Sequence, residues 1–250
     1  MKRARVIWAI ALLALASPAA ARAQDTPPGC APPSLTGGDW RSYGGDPANT
    51  RNQPAERVIS AADVPSLTSA WVFSSVENGG AGDFTGTPIV ADGCMYIAST
   101  RGWVFAVNAD TGKLVWKTKV PHGGGVNSSV AVAQRTLPAA AVKGVKKKKH
   151  HSRRHRRHRK RHARAKARRA AAAPRTAGTI YVAVTRTQKF ESCPPGDPCV
   201  GPYVVALDQA SGQVVWSSLP VDTQPGADVY ASPVVYDGAL MIGVSGGAAE

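Results

Sequence analysis

The chain of 250 residues carries 31 Lys and Arg against 16 Asp and Glu, which gives a formal net charge of +15 and a pI near 10.1. Sixteen of the basic residues lie in Lys143–Arg169 and four lie in the first 23 residues, which leaves 11 basic and 16 acidic groups elsewhere. The high pI therefore comes mainly from one segment. The rest of the chain has more acidic than basic groups, so its charge does not indicate nucleic-acid binding.

The N-terminus has the features of a secretory signal. Three basic residues in the first five positions precede the apolar run Val6–Ala16, and small residues surround Ala23. We therefore expect residues 1–23 to be a signal peptide and the mature protein to be periplasmic or secreted. Residues 24–38 are rich in Pro and Gly and are expected to form a linker. No later stretch approaches 18 apolar residues, so no membrane-spanning helix is predicted after the signal.

Residues 88–119 are predicted to form four short strands joined by tight turns. Asp92-Gly93 is a dipeptide that favours a two-residue hairpin, and Gly112 supplies a positive φ in the third turn. Trp116 stands on the fourth strand, where its large ring needs a neighbouring sheet to cover it. The predicted strands are Pro88–Ala91, Met95–Ser99, Trp103–Asn108 and Lys113–Lys119.

This four-stranded unit is repeated along the chain. AVNADTGKLVW, which ends at Trp116, matches ALDQASGQVVW, which ends at Trp216, position for position. Trp71 lies 45 residues before Trp116, the spacing expected of propeller blades. The sequence therefore predicts an all-β propeller of four-stranded blades, about three of them over 39–250, rather than unrelated hairpins. The repeated segments are Gly178–Val184, Tyr203–Asp208, Gln213–Leu219 and the opening strands in Ser232–Val244.

A strongly basic segment interrupts the second unit. Lys143–Arg169 contains 16 Lys and Arg, five His and no acidic residue, and it lies between Val132 and Ile180, whose strands a hairpin should join. Like charges repel, and few apolar groups are present to offset the loss of conformational entropy on ordering. We therefore expect about Pro138–Arg175 to be a disordered, solvated segment that extends from the tip of a loop. Binding to nucleic acid or an anionic surface is the alternative, but no aromatic residue is interleaved for base stacking.

The four cysteines allow several states. Cys193 and Cys199 enclose five residues rich in turn formers, and an exported chain meets an oxidising compartment, so a local disulfide is expected. Cys94 is expected to be a buried, small apolar side chain rather than a redox group. Its pairing with Cys30 stays open.

Two features resemble a known family. Ala106–Trp116 and Ala206–Trp216 resemble the tryptophan-docking repeats of pyrroloquinoline quinone (PQQ) dehydrogenases and PQQ-like propellers. The segment Asp39–Pro54, DWRSYGGDPANTRNQP, is similar to the start of the same dehydrogenases, closest to the polyvinyl-alcohol dehydrogenase branch. The resemblance implies that Trp116 and Trp216 are buried between blades, and that Trp71–Ser75 is an outer strand.

The resemblance also implies a function. It predicts an exported oxidoreductase that oxidises a small or polymeric alcohol, or a sugar, with PQQ and calcium, and a cytochrome as a possible electron acceptor. No haem attachment motif of the C-x-x-C-H type occurs in this sequence. A non-catalytic propeller that serves as a binding or assembly scaffold is the alternative. Such scaffolds should lack both the leading segment, Asp39–Pro54, and the final loop, Ser245–Glu250.

The final loop carries the candidate cofactor site. By resemblance, the small residues Ser245, Gly246, Gly247 and Ala248 let the flat quinone approach the backbone, and Glu250 binds calcium, which prefers oxygen ligands. An extra Ala before Glu250 departs from the usual pattern, and an ordinary Gly-rich hairpin loop is the alternative. The catalytic aspartate of the resembled enzymes lies in later blades, so no catalytic residue is assigned. We expect the chain to be the N-terminal part of a longer enzyme.

Overall fold

The computed structural model describes four ranges of the chain: 29–30, 38–137, 175–186 and 201–246. Apart from one turn of 3-10 helix at Val64–Ser66, the regular structure in these ranges consists of antiparallel strands, which confirms the all-β class. No helix in this described part is long and apolar enough to cross a membrane. The predicted signal peptide, Lys143–Arg169 and the Cys193–Cys199 pair lie outside the described residues.

Blade 1 is a four-stranded sheet in chain order. Its first hairpin turns at Asp92-Gly93, with φ of 53° and 79°, the two positive values that a tight two-residue turn requires. Gly112 (φ 68°) closes the turn before the last strand, as predicted. The strands are β1 (Ile89–Ala91), β2 (Cys94–Ala98), β3 (Trp103–Asn108) and β4 (Leu114–Lys119).

Blade 2 repeats this sheet with the same order of strands and the same irregularity. The pairing of β3 with β4 shifts register at Ala106/Val107, and the equivalent pairing in blade 2 shifts at Ala206/Leu207. This shared bulge confirms that the two AxxxxxGxxxW segments are structural copies. The strands are β5 (Ala131–Leu137), β6 (Arg175–Val184), β7 (Tyr203–Asp208) and β8 (Val214–Ser217).

The basic segment leaves and re-enters blade 2 at one hairpin. Strands β5 and β6 pair from Ala131↔Tyr181 as far as Leu137↔Arg175, and Val132 lies opposite Ile180. The two strands are therefore neighbours despite the residues between them, as the sequence predicted. Arg175, which was predicted to end the disordered segment, belongs to β6 instead.

A third pair of strands begins blade 3. Strand β9 (Val234–Tyr236) pairs with β10 (Ala239–Met241) around Asp237-Gly238, which has φ of 47° and 76°. These angles match those of Asp92-Gly93 because both dipeptides make the same turn. The described residues thus hold two four-stranded blades and the first hairpin of a third.

The main core lies between blades 1 and 2. Alternate residues of β2, including Tyr96 and Ala98, face blade 2, where Tyr203, Val205 and Leu207 of β7 meet them. The opposite face of blade 1 is covered by the chain that precedes it, and Phe73, Phe84 and Phe105 have ring centroids 5.4–6.1 Å apart there. Each sheet of this fold therefore needs a covering layer on both sides.

The leading segment adds a partner to the first strand of blade 1. Trp40 and Val90 exchange backbone hydrogen bonds of 2.6 and 2.9 Å as an antiparallel bridge. The carbonyl of Arg41 then accepts the amide N–H of Val132 in blade 2 at 3.0 Å. The segment thereby ties the first strands of two blades together and removes an open strand edge.

Cys94 is buried, as expected, but it also forms a disulfide with Cys30, with a Cα–Cα distance of 5.4 Å. The carbonyl of the neighbouring Gly29 accepts a hydrogen bond from the Asn108 side chain at 2.6 Å. This pairing answers a question that the sequence left open, since only the fold brings residues 64 positions apart together.

Candidate functional site

Blades 1 and 2 each carry, on the turn before the last strand, a tryptophan from the chain that precedes the blade. The indole of Trp71 lies over Gly112, so that a Cβ placed on this glycine would come within 2.7 Å of the ring. Its Nε1–H donates to the carbonyl of Ala109 at 3.0 Å. The turn of blade 1 therefore accepts both the face and the polar edge of an indole from the preceding chain.

The same arrangement recurs one blade later. Trp116 lies over Gly212 with a Cβ clearance of 2.5 Å, and its Nε1–H donates to the carbonyl of Gln209 at 3.1 Å. Trp116 is partly buried, in line with the predicted docking between blades. The burial predicted for Trp216 is wrong in the described structure, where this residue is 38% exposed. Its ring touches Tyr181 of its own blade, but the described chain places no further turn over it.

Trp71–Ser75 was predicted to be an outer strand, and this prediction is also wrong. Residues 71–74 belong to no described strand, and Ser75 begins a turn. Only the tryptophan at its start behaves as the repeat predicts.

A second repeated contact ties the loop after the second strand of each blade to the chain that enters that blade. In blade 1 the amide of Thr100 donates to the carbonyl of Asp83 at 2.9 Å. In blade 2 the amide of Thr185 donates to the carbonyl of Gly125 at 2.8 Å. In blade 3 the amide of Ser245 donates to the carbonyl of Asp228, also at 2.8 Å. Ser245 is thus the structural equivalent of Thr100 in blade 1 and Thr185 in blade 2.

The candidate cofactor loop begins at this contact. The hydroxyl of Ser245 donates to the carbonyl of Asp228 at 2.9 Å, so the residue is held by both its backbone and its side chain. Gly246 is exposed, and a Cβ added to it would meet no atom of the described residues within 4 Å. The approach of the quinone to this backbone, which the family resemblance implies, stays a prediction. Gly247, Ala248 and Glu250 lie outside the described residues.

The described ranges contain no group of three or more His, Cys, Asp or Glu side chains placed to hold a metal ion. A calcium ion at this loop would therefore need Glu250 and other ligands beyond the described part. The metal assignment remains a prediction.

A partly buried polar cluster, which the sequence did not indicate, joins the leading segment to both blades. Arg41 donates to Asp39 at 2.6 Å and to both carboxylate oxygens of Asp92 at 2.8 and 3.3 Å. The fully buried Gln209 donates to Asp92 at 2.9 Å and to the hydroxyl of Tyr96 at 3.1 Å. Asp92 and Gln209 come from turns of different blades, so their contact crosses the blade interface.

The cluster shifts the pKa values of its members. Burial by itself would raise the pKa of Asp92, but the hydrogen bonds from Arg41 and Gln209 and the charge of Arg41 leave this pKa below its ordinary value. Burial would lower the pKa of Arg41, and Asp92 and Asp39 instead raise it. Burial also raises the pKa of Tyr96. The guanidinium and the Asp92 carboxylate are thus held in their charged forms.

The stacked antiparallel blades, with a tryptophan of one blade resting on the turn glycine of the next, define a β-propeller with tryptophan docking. A family sequence model described as the glucose/ethanol/alcohol dehydrogenase β-propeller domain, PQQ, matches residues 40–168, more than half of the chain. The chain belongs to this family of PQQ dehydrogenase propellers.

Named relatives agree with this assignment. The chain is 26% identical to a polyvinylalcohol dehydrogenase of Pseudomonas sp over 208 residues, which are 83% of this chain and 23% of the relative. It is 33% identical to the 1-butanol dehydrogenase (cytochrome c) of Thauera butanivorans over 101 residues, 40% of this chain and 14% of that protein. The chain thus spans about a quarter, or less, of the length of these relatives.

Solved structures show the same fold. The quinohemoprotein alcohol dehydrogenase of Comamonas testosteroni matches with a TM-score of 0.51 and 24% identity, over 84% of this chain and 23% of that structure. A europium-containing methanol dehydrogenase matches with a TM-score of 0.50 and 18% identity, over 84% of this chain and 28% of that one. At these identities the likeness concerns the fold alone.

Proposed function

We propose that this chain is part of an exported quinoprotein that oxidises an alcohol, and that PQQ is the cofactor of this enzyme. The supporting observations are the family match over residues 40–168 and the docking of Trp71 and Trp116 on the turn glycines of blades 1 and 2. When bound, PQQ accepts the two electrons that leave the alcohol. The relatives named for polyvinyl alcohol and 1-butanol make polymeric and small primary alcohols the substrates to test first.

Within this proposal, the loop from Ser245 to Ala248 lies against the quinone. Gly246 carries the argument, because its Cα faces open space where a side chain would otherwise stand between ring and backbone. Glu250 supplies a carboxylate oxygen to calcium beside the quinone. Since a europium-containing enzyme shares the fold, the metal dependence should be tested with a lanthanide as well as with calcium.

The electron acceptor is proposed to be a cytochrome in the periplasm or outside the cell. The 1-butanol dehydrogenase relative is named for its use of cytochrome c.

The test uses the protein in the organism that makes it. Chromosomal Gly246→Val and Glu250→Gln variants are compared with Thr223→Val, a change at an exposed position. Periplasmic extracts are assayed for dye reduction with 1-butanol or polyvinyl alcohol, with PQQ and either calcium or a lanthanide. We expect both loop variants to lose most of the PQQ-dependent activity and the control to keep it.

Two results would count against the proposal. If deletion of the whole gene left PQQ-dependent alcohol oxidation unchanged, the protein would not be the dehydrogenase. If the purified protein bound no PQQ but retained a stable partner protein, a scaffold function would replace the enzyme.

A further inference from the structure

Asp228 stands at the point where the candidate cofactor loop meets the neighbouring blade. It lies in the chain that enters blade 3, five residues before Pro233, and is equivalent to Asp83 and Gly125 in blades 1 and 2. At all three positions the backbone carbonyl accepts an amide N–H from the loop after the second strand. In blade 3 this loop is the candidate site, Ser245–Gly246.

Of the side chains at these three described positions, only that of Asp228 accepts a hydrogen bond from a second blade. Its Oδ1 accepts the backbone N–H of Arg186, in the equivalent loop of blade 2, at 2.8 Å. The same oxygen accepts the N–H of Val229 at 2.8 Å, and Oδ2 accepts the hydroxyl of Tyr230 at 3.3 Å. Gly125 has no side chain, and within the described ranges the carboxylate of Asp83 makes no such bond.

The loop itself is held by the backbone of Asp228. Ser245 N–H donates to the Asp228 carbonyl at 2.8 Å, and Asp228 N–H donates back to the Ser245 carbonyl at 3.2 Å. The Ser245 hydroxyl adds a third bond to the same residue at 2.9 Å. One residue therefore fixes the start of the loop through its backbone and the loop of blade 2 through its carboxylate.

We propose that Asp228 is a positioning residue that sets the backbone of Ser245–Gly246 against the loop of blade 2 and so shapes the cofactor site without touching the cofactor. This inference rests on the proposed function of that loop. A carboxylate suits the role because it only accepts hydrogen bonds and binds backbone N–H groups more strongly than a neutral oxygen does. Without it, the amides of Arg186 and Val229 lose their acceptor and the two loops can separate.

The experiment compares Asp228→Ala with Asp228→Asn, which keeps one acceptor oxygen, and uses Asp83→Ala as the matched control in blade 1. Amide hydrogen exchange is measured on the full chain at Arg186 and Ser245. We expect exchange at the Arg186 amide to be about tenfold faster in the alanine variant, since this amide loses its side-chain acceptor. The Ser245 amide keeps the backbone carbonyl of residue 228 as its acceptor, so its exchange should rise by a smaller factor, as the two loops separate. The asparagine variant should restore most of the protection, and the control should leave these amides unchanged.

PQQ affinity, measured by its absorbance on protein purified from the source organism, is the second readout. We expect the dissociation constant to rise about tenfold in Asp228→Ala and by a small factor in Asp228→Asn. Unchanged exchange in the alanine variant would overturn the positioning role. Faster exchange with unchanged affinity would also overturn it, because the contact would then be structural only. If the wild-type protein bound no PQQ, the proposed function would fail, while the exchange data would still decide whether Asp228 holds the loop.

Discussion

At the scale of single residues, two tryptophans with the same sequence context lie in different environments. Trp116 rests on Gly212 and donates a hydrogen bond across the blade interface, whereas Trp216 is 38% exposed. The sequence motif defines a ring that can dock, but docking also needs the turn of a following blade. The energetic value of the two residues should therefore differ.

We expect Trp116→Ala to lower the free energy of unfolding by about 3 kcal/mol, because it removes the packing over Gly212 and leaves the Gln209 carbonyl without its donor. Trp216→Ala, the matched control, should cost clearly less, since its ring is already partly in water. Urea unfolding followed by circular dichroism measures both. Equal losses in the two variants would show that the docking contact contributes no more than general burial.

Asp92 is the residue at which stability should depend on pH. Its pKa in the folded protein is lowered, so its ionised form stabilises the fold at pH values above the unfolded pKa of about 3.9. That contribution is lost as the pH falls through the folded pKa. We expect Asp92→Asn, which also tolerates a positive φ, to be less stable than wild type at pH 6 and to approach it at acidic pH.

Asp237 provides the control for this prediction because it makes the same turn in blade 3 but is exposed. Asp237→Asn should leave the pH dependence of unfolding as it is in wild type. If the difference in unfolding free energy between wild type and Asp92→Asn stayed constant from pH 7 to pH 3, protonation of Asp92 would not weaken the Arg41–Asp92 pair.

At the scale of elements, the leading segment is held to the blades by a disulfide as well as by the Arg41 cluster. Cys30 and Cys94 close a loop with a sequence separation of 64. We expect a Cys30→Ala/Cys94→Ala variant to lose about 2–5 kcal/mol of unfolding free energy, since long closed loops restrict the unfolded chain. Trypsin should then cut faster at Arg51, in the leading segment, and at Arg57, three residues after it.

A reducing agent gives the comparison for the disulfide. It should destabilise the wild-type protein and have little further effect on the double variant. A Cys193→Ser/Cys199→Ser variant separates any contribution of that predicted pair. If reduction affected wild type and the Cys30/Cys94 variant equally, the tether would not be the stabilising bond.

The second element with a defined test is the hairpin between β5 and β6. Because Leu137 and Arg175 are already paired, replacement of residues 138–174 by Asn-Gly should keep the hairpin and shorten the closed loop. We expect an unchanged β signal by circular dichroism and a stability equal to or above that of wild type. Loss of the β signal would show that the basic segment supports blade 2.

At the scale of the whole molecule, blade 3 and the last strand of blade 2 leave apolar side chains in solvent. Besides Trp216, Leu219 is 74% exposed and Tyr236 is 62% exposed. Uncovered strand edges and apolar faces favour association. We expect the isolated 250-residue chain to self-associate.

Light scattering after size-exclusion chromatography measures this association. A Leu219→Lys variant should shift the distribution towards the monomer, and Val58→Lys, a similar change in the exposed leading chain, should shift it less. A monomeric sample of the isolated chain would contradict the expectation.

The sequence by itself determined the class of fold, the strands and the repeat. Hydrophobic alternation, Asp-Gly turns and the AxxxxxGxxxW frame are local signals, and Tyr203–Asp208 was predicted with its observed ends. The resemblance of the leading segment also indicated the family that the comparisons then showed. For the candidate site, the resemblance of Ser245–Ala248 and Glu250 to the cofactor loop of the family stays a prediction, since most of this loop lies outside the described residues.

Only the tertiary structure decided which residues meet across blades. The Cys30–Cys94 pair, the Arg41–Asp92–Gln209 cluster and the contact of Asp228 with Arg186 join positions that are 42 to 117 residues apart. No local pattern specifies such partners, because the contact depends on how two sheets stack and not on the period of either one. The exposure of Trp216 has the same origin, since a side chain is buried by its neighbours in space and not by its own motif.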